Sequence, residues 1–477
     1  MPDSDPAGSG RVARGRDVPT PADRRAAGKA ARAHATLEGH ADVGRSEGRD
    51  PVGLLLGQAA TRVPELVPIR HGRMLVSPFT FFRGAALPMA ADLAGTASSG
   101  VTAQLCGDAH LSNFGAFAAP DRRLVFDLND FDETLPGPFE WDVKRFAASL
   151  AVAGRDRGLS TKERKRVITA GVASYRTSMA TFADMTMLDV WYARLDMEEA
   201  LQRIAPQVSE RGLSRTRKAL DKARTRDSLQ ALSKLTEVVD GHRRIVAQPP
   251  LVVPISELGT GVPVQELYRG LEGIVEGYTR TLSADRRHLV QQFRLVDVAR
   301  KVVGVGSVGT RAWILLLESD GGRQPLFLQA KEAQRSVLAD YCGDSFHDNQ
   351  GERVVSGQHL MQAASDIFLG WQRTEGLDGV QRDFFVRQLR DWKYSARVDR
   401  MVPAGLAMYA ELCGWTLARA HARSGDRIAI AGYLGQSDKF DRALVEFAEG
   451  YADRTEADHA ALQVAVDGGR VEADTGL

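Results

Sequence analysis

The sequence predicts an α+β protein of two unequal lobes, a small antiparallel sheet and a larger, mainly helical body. Three observations carry this. Residues 296–333 alternate strand-like and turn-like pieces, VDVARKVV, GVGSVG, TRAWILLLES, a Gly-Gly turn and PLFLQAKEA, which reads as strand, glycine loop, strand, turn, strand. Stretches on either side, residues 144–155, 161–246 and 401–423, keep apolar residues at helical spacing. The chain, at 477 residues, is long enough to close more than one packed lobe.

Taken in order, residues 1–50 are rich in Ala, Gly, Arg, Asp and Pro and nearly devoid of large apolar side chains, the composition of a disordered leader. Its arginines are interleaved with Asp and Glu, which suits a solvated tail rather than a nucleic-acid arm. Residues 51–94 read as a short helix, extended segments and a second helix. Arg70, Arg73 and Arg83 lie there among aromatics beside Ser77-Pro78. They either face phosphate or substrate, or stack on Phe79, Phe81 and Phe82 to brace the fold.

Residues 105–150 organise the rest. A Gly-Asp-x-His turn places Asn113 five residues after Asp108, and a hairpin follows, NFGAFAA and LVFDL around a PDRR turn. An acidic cluster, Asp127, Asp130, Asp132 and Glu133, precedes a Gly-Pro turn and a helix beginning near Trp141. Carboxylates and an amide at strand ends suit an oxygen-ligand site for a hard cation such as Mg²⁺. The plainer alternative is a hairpin whose Asp and Asn residues only make turns. Asp142, opening a helix, is expected to cap it or brace the loop before it. His110 either contacts phosphate or, neutral, holds its loop by hydrogen bonds.

Ser160 reads as the N-cap of a long helix, and residues 161–246 as mostly helical. The prolines of QPPLVVPISEL, residues 248–258, break the helices and start an extended segment; residues 264–280 and 283–293 return to helix. A GxGxxG at Gly304, Gly306 and Gly309 then lies between two strands, without the helix that a dinucleotide-binding turn needs straight after it. Glycines there let backbone N–H groups approach a ligand's phosphates. Lys331 ends the third strand, either as a phosphate-pairing cation or as a solvated lysine blunting a sheet edge. Glu352, in the following helix, is its expected carboxylate partner, while strand alternation points Glu332 the other way. Residues 366–370 and 383–391 read as two further strands, 401–423 as a long helix stopping near Gly425, and 438–464 as terminal helices with fraying last residues.

The net charge of +1, from 62 basic and 61 acidic residues, provides no global field for nucleic acid or membrane. Cys106, Cys342 and Cys413 are odd in number and lack a CxxC, which fits a reducing compartment and argues against a disulfide framework or structural zinc. No apolar run has the length of a membrane span, and a hydrophobic signal core is missing, so the cytoplasm is the expected address.

The segments GDAHLSNFG, FDLNDFDE and GPFEWDVKRFAAS resemble the bacterial family called DUF2252, over most of the chain from about Val67 onward. They are also similar, more distantly, to the catalytic segment of aminoglycoside-phosphotransferase-type and other small-molecule kinases. Such kinases usually carry His-Gly-Asp where this chain has Cys106-Gly107-Asp108; the Asp-to-Asn spacing is kept. The resemblance implies a protein-kinase-like fold with ATP and Mg²⁺ as cofactors. Asp108 would be the catalytic base, and Asn113 and a strand-end Asp the metal ligands: spacing from Asn113 favours Asp127, spacing to the Gly137-Pro138 tail favours Asp130, and Asp130 is taken as the main ligand with Asp127 as a second. Gly304, Gly306, Gly309, Lys331 and Glu352 would bind nucleotide. Kinases place the glycine loop before the catalytic loop, whereas here it follows, so the implied order is circularly permuted. Residues 1–50 would be leader, 51–295 the catalytic segment and helical lobe, 296–395 the nucleotide lobe, and 396–477 helices completing the helical lobe. That arrangement requires Lys331 within reach of Asp127 or Asp130. It also requires the end of the 415–423 helix near the strand entering Cys106.

The expected activity is phosphoryl transfer from ATP to an acceptor, expected to be a small molecule; aminoglycosides, sugars, amines and proteins all fit the residues, and the oligomeric state is left open. A nucleotide-binding pseudokinase keeps the same residues, and nucleotidyl transfer needs only a reversed ATP. A metallophosphoesterase would need several clustered histidines, and the ten here are scattered.

Overall fold

In the computed structural model the described residues are 18–476, apart from 46, 205–209, 226–227, 241, 259–262, 303, 320, 322–323, 377 and 390–391. The architecture is α+β, with antiparallel sheets and a large helical body.

The helical body forms around Phe139–Asp156, whose residues from Phe139 to Gly154 are all buried. A helix apolar or paired on every side must be enclosed by others, and Thr161–Asp184, Pro403–Ser424 and Lys439–Asp467 enclose it. Thr161–Asp184 and Pro403–Ser424 cross at Gly171 and Gly414. A Cβ on Gly414 would lie 2.2 Å from the Gly171 carbonyl oxygen, so that crossing distance requires glycine. Pro403–Ser424 stops at Gly425, as the sequence indicates, and a buried Arg427–Leu434 helix follows.

On this body lie β1 (Thr102–Leu105), β2 (Phe114–Ala118), β3 (Leu124–Leu128) and β4 (Leu135–Pro138). β1 pairs β4, and β2 pairs β3 with Gly115 opposite Asp127. β5 (Leu195–Asp196) extends the β3 edge.

The smaller lobe starts earlier than position 296. A hairpin of β6 (Thr236–Val239) and β7 (His242–Ile245) interrupts the stretch expected to be helical. Then come β8 (Val252–Pro254), β9 (Arg294–Lys301), β10 (Ala312–Ser319), β11 (Gln324–Ala333), β12 (Gly370–Glu375) and β13 (Gln381–Gln388). They form one antiparallel sheet ordered β12-β13-β11-β10-β9-β8. Alternate residues of β10 serve two cores. Leu315 and Leu317 pack with Ile255, Tyr278, Leu282 and Val290, whereas Ile314 and Leu316 pack with Ile245 and Val252. The Val264–Thr279 and Ala284–Val290 helices therefore cover this sheet and belong to its lobe, which corrects the boundary. The strand expected over 366–370 begins at Gly370 instead. β14 (Tyr394–Ser395) returns the chain to β2.

The described residues of 18–50 are not a disordered leader. The Pro21–Ala30 helix, capped by Thr20, packs on Arg427–Leu434, where a Cβ on Gly28 would collide with the Ala429 carbonyl. Farther on, Arg49 bridges the carboxylates of Asp92 and Asp458. Residues 1–17 lie outside the described residues. The segments expected to be extended after residue 60 are the helices Val67–Leu75 and Pro78–Gly84, the second set by a Ser77–Thr80 capping box. The described part of the tail is tied down instead of fraying: Asp474 N donates to the Pro68 carbonyl at 2.8 Å. No helix among the described residues is long and apolar enough to cross a membrane.

Candidate functional site

The Asp108 turn is fixed from below. Asp142, in the first turn of Phe139–Asp156, accepts the backbone N–H of Cys106 at 2.8 Å and of Gly107 at 3.1 Å. His421 lies 3.2 Å from the same carboxylate and 2.8 Å from the Tyr175 hydroxyl. Asp142 thus braces the loop. Gly425, just past the Pro403–Ser424 helix, sits against Thr102 and Ala103, so this helix ends beside β1. Gly107 has φ +83, and a Cβ there would lie 2.4 Å from the Glu133 carbonyl. Only glycine lets the two loops approach so closely.

Arg145 holds Asp108 Oδ1 with both Nε, at 2.9 Å, and Nη2, at 2.8 Å. Its guanidinium stacks on Phe82, 3.8 Å from the ring centre. Oδ2 is the oxygen left for a proton, with His110 Nε2 at 3.5 Å. Burial, partly opposed by Arg145 and reinforced by Asp130, pushes the Asp108 carboxyl up to about 6. Burial, together with Arg83 and Arg145, holds His110 well below its ordinary value, so the ring is neutral; Nδ1 accepts the Ser112 N–H. Asn113 Nδ2 donates to the Asp108 carbonyl at 2.9 Å, which leaves its amide oxygen as the free acceptor.

The four acidic residues after the hairpin part ways. Asp127, at the end of β3, faces inward: Oδ1 takes Arg419 Nη2 at 2.5 Å and the Leu128 N–H, and Oδ2 takes the Ala363 N–H. It borders neither hollow of the site. The reading of Asp127 as a second metal ligand is therefore corrected; the carboxylate is consumed by a buried ion pair. Asp130, two residues past the strand, borders both hollows. Burial alone would raise its carboxyl, but Lys331 and Arg387 hold it at about 2. Asp132 Oδ2 accepts from Lys331 Nζ at 2.5 Å and Ser307 Oγ at 3.1 Å, while Oδ1 is buried without a partner. Glu133 accepts the Val337 N–H at 2.7 Å, and burial pushes it up to about 7. Arg353 props this loop by donating to the carbonyls of Asp132, Thr134 and Gln334.

Lys331 and the glycine loop thus meet the acidic segment directly. Lys331 is 2 % exposed and lies over Phe385, not at a solvated edge. Its carboxylate partner is Asp132. Glu352 is corrected in that role: it sits in the first turn of Gln350–Met361, 3.5 Å from His347. Glu332 turns away toward Arg311, as alternation requires. Gly304 borders both hollows and Gly306 the smaller. Gly309 is packed on Arg62 instead and borders neither. The residue 62–83 block grips this loop: Arg62 donates to the Val308 carbonyl, Val63 N–H to Gly309, and Arg73 to Gly304.

Two adjoining hollows result, of about 1390 Å³ and about 410 Å³. The larger runs from Lys331 along β11 and β13 to Gln388; the smaller holds Asp108, Asp132 and Glu133. Arg83, Asn113, Asp130, Gly304 and Ser307 border both. Among the described residues no group of three or more His, Cys, Asp or Glu side chains could hold a metal ion unaided. An amide oxygen and one carboxylate facing shared space do fit Mg²⁺, which takes few protein ligands when phosphates and water complete its shell.

Arg145 and Arg353 have roles that no sequence signal singles out, and Asp132 stands out in the chain only as a member of the acidic cluster; Arg83, expected either to face phosphate or substrate or to brace the fold, borders both hollows. Arg145 follows Asp142 by one helical turn, and that spacing places both on the face under the Asp108 loop. Nothing in the local sequence identifies Arg353.

A family model described as an uncharacterized protein conserved in bacteria (DUF2252) matches residues 62–465. No curated protein and no solved structure matches the chain.

Proposed function

The chain belongs to the DUF2252 family, and we propose that it is an ATP- and Mg²⁺-dependent phosphotransferase of protein-kinase-like build, in circularly permuted order. The observation that carries this reading is the junction at Asp132. Lys331 from the sheet lobe and Ser307 from the glycine loop share one oxygen of the acidic segment, beside hollows bordered by Asp108, Asn113 and Asp130. A lysine at a strand end, a glycine loop between antiparallel strands and an Asp-x4-Asn turn are the parts phosphoryl transfer needs, because it requires positioning and charge neutralisation.

On this reading the nucleotide occupies the larger hollow, with its phosphates toward Lys331 and Gly304. Asn113 and Asp130 would hold Mg²⁺, which when bound neutralises and orients the triphosphate. The acceptor, a small molecule, enters the smaller hollow. Its hydroxyl oxygen bonds to the γ-phosphorus, the bond from that phosphorus to ADP breaks, and the hydroxyl proton passes to Asp108 Oδ2. A carboxyl near 6 is ionised at neutral pH yet still basic enough to take that proton.

The test uses ATP labelled at the γ or the α phosphate, incubated with Mg²⁺ and a panel of small alcohols and amines. Label is expected to transfer from the γ position alone. Asp108→Asn should stop transfer while keeping ATP affinity, and Lys331→Ala should weaken nucleotide binding tenfold or more. Transfer from the α position would make the enzyme a nucleotidyltransferase, and full turnover by either variant would defeat the assignment.

A further inference from the structure

Arg83 ends the Pro78–Gly84 helix and borders both hollows. Its guanidinium donates to no described group, and its Nε is buried without a partner. Arg62, Arg70, Arg300 and Arg419 also leave one or two nitrogens unmatched, but each still donates elsewhere: to Val308, to Gln58 and Gly84, to Glu65, and to Asp127. Arg83 alone among these donates nothing. Asp108 and Asp130 are the carboxylates whose charge reaches it, yet neither forms an ion pair with it. Asp108 is already committed to Arg145. A half-buried cation left in this state points to an anion that belongs there.

The position says which anion. Arg83 stands where the two hollows join, with Asn113, Asp130 and Gly304. Its own carbonyl lies 3.1 Å from where a Cβ on Gly306 would be, so the glycine loop closes directly over this residue. A group leaving a nucleotide in the larger hollow for an acceptor beside Asp108 must pass this junction. A planar fork of N–H donors matches two oxygens of a phosphoryl group.

We propose that Arg83 is a catalytic residue that binds the phosphoryl group in transit between nucleotide and acceptor. This rests on the phosphotransferase reading. The guanidinium keeps all its protons; it supplies charge to the equatorial phosphoryl oxygens while the bond to ADP breaks and the bond to the acceptor forms.

The probe is Mg·ADP with and without aluminium fluoride, which stands in for a phosphoryl group in flight, titrated calorimetrically into the full chain. The wild type should bind ADP more tightly when aluminium fluoride is present. Arg83→Gln should keep ADP affinity within twofold, lose at least tenfold of that enhancement, and slow single-turnover transfer about 10²–10³-fold. Arg83→Lys, which preserves charge without the fork, should restore part of both. An Arg83→Gln or Arg83→Lys protein that keeps the whole enhancement overturns the proposal and leaves the phosphotransferase reading standing. Equal loss of ADP and ADP–aluminium fluoride binding in both folded variants also overturns it. If the wild type binds neither, the phosphotransferase reading falls and takes this proposal with it.

Discussion

Asp127→Asn distinguishes a structural carboxylate from a metal ligand. The wild-type side chain is 3 % exposed and its partner Arg419 1 % exposed, with no water-facing route for either charge. All the donors around Asp127, namely Arg419, Leu128 N–H and Ala363 N–H, require an acceptor. An asparagine supplies one accepting oxygen and turns an NH₂ group toward another donor. It also leaves Arg419 buried and uncompensated, and Nη1 of that arginine already lacks a partner. Breaking one side of such a pair costs about 3–5 kcal/mol. With an unfolding entropy of about 2.1 cal/mol/K per residue, a cooperative unit of 477 residues has roughly 1 kcal/mol/K, so this lowers Tm by roughly 3–5 °C. Thermal melts followed by circular dichroism, run without nucleotide, read the effect. Replacing both partners, Asp127→Leu with Arg419→Met, should recover at least half of the loss, because no bare charge then remains. An Asp127→Asn protein melting within 1 °C of wild type, or a double variant no better than the single, would refute the reasoning.

Glu133 carries a pH signature. Its folded carboxyl sits at about 7 against an ordinary 4.5, so the folded state binds the proton more tightly than the unfolded chain. That contribution is complete below about pH 4.5 and is lost as pH rises through 7. Glu133→Gln should therefore gain about 1–3 kcal/mol over wild type at pH 8 and nothing at pH 4.5, measured by urea unfolding; a gain independent of pH would contradict this. Transfer turnover should fall on the acid side with a limb near 6, set by Asp108, and Arg145→Gln should move the limb upward by removing the cation that opposes burial. A limb at the ordinary carboxylate value would exclude Asp108 as the base. Arg73→Ala and Arg62→Met should raise hydrogen exchange across residues 304–310 at least tenfold, since both arginines hold carbonyls of that loop; unchanged exchange would mean that the loop is held by its own turns.

Much of the site could be read from the chain because it is local. The Asp108-to-Asn113 turn, the hairpin, and the β9–loop–β10–β11 run ending at Lys331 are set by short-range pattern. Asp142 bracing the Asp108 loop and the stop at Gly425 were legible for the same reason. Choosing among Asp127, Asp130 and Asp132 was not, because three carboxylates within six positions are sorted by where β3 ends and how the next turn bends. Helix order pairs Lys331 with Glu352, but that residue lies in the first turn of its helix, beside His347. By composition the N-terminal segment reads as disordered for lack of large apolar groups, yet its described part packs through Gly28 at a close backbone contact and through the ion pairs of Arg24 and Arg49. Arg353 acts across a distance in sequence that no local pattern encodes, and only the fold separates the phosphate-facing reading of Arg83 from the bracing one.

The most direct measurement is a crystal structure of the chain with a non-hydrolysable ATP analogue and Mg²⁺. The account places the β and γ phosphates between Lys331 and Gly304, the cation on Asn113 and Asp130, and the γ-phosphate at the junction facing Arg83 and Asp108. Nucleotide density elsewhere, with none in the larger hollow beside Lys331, would contradict it.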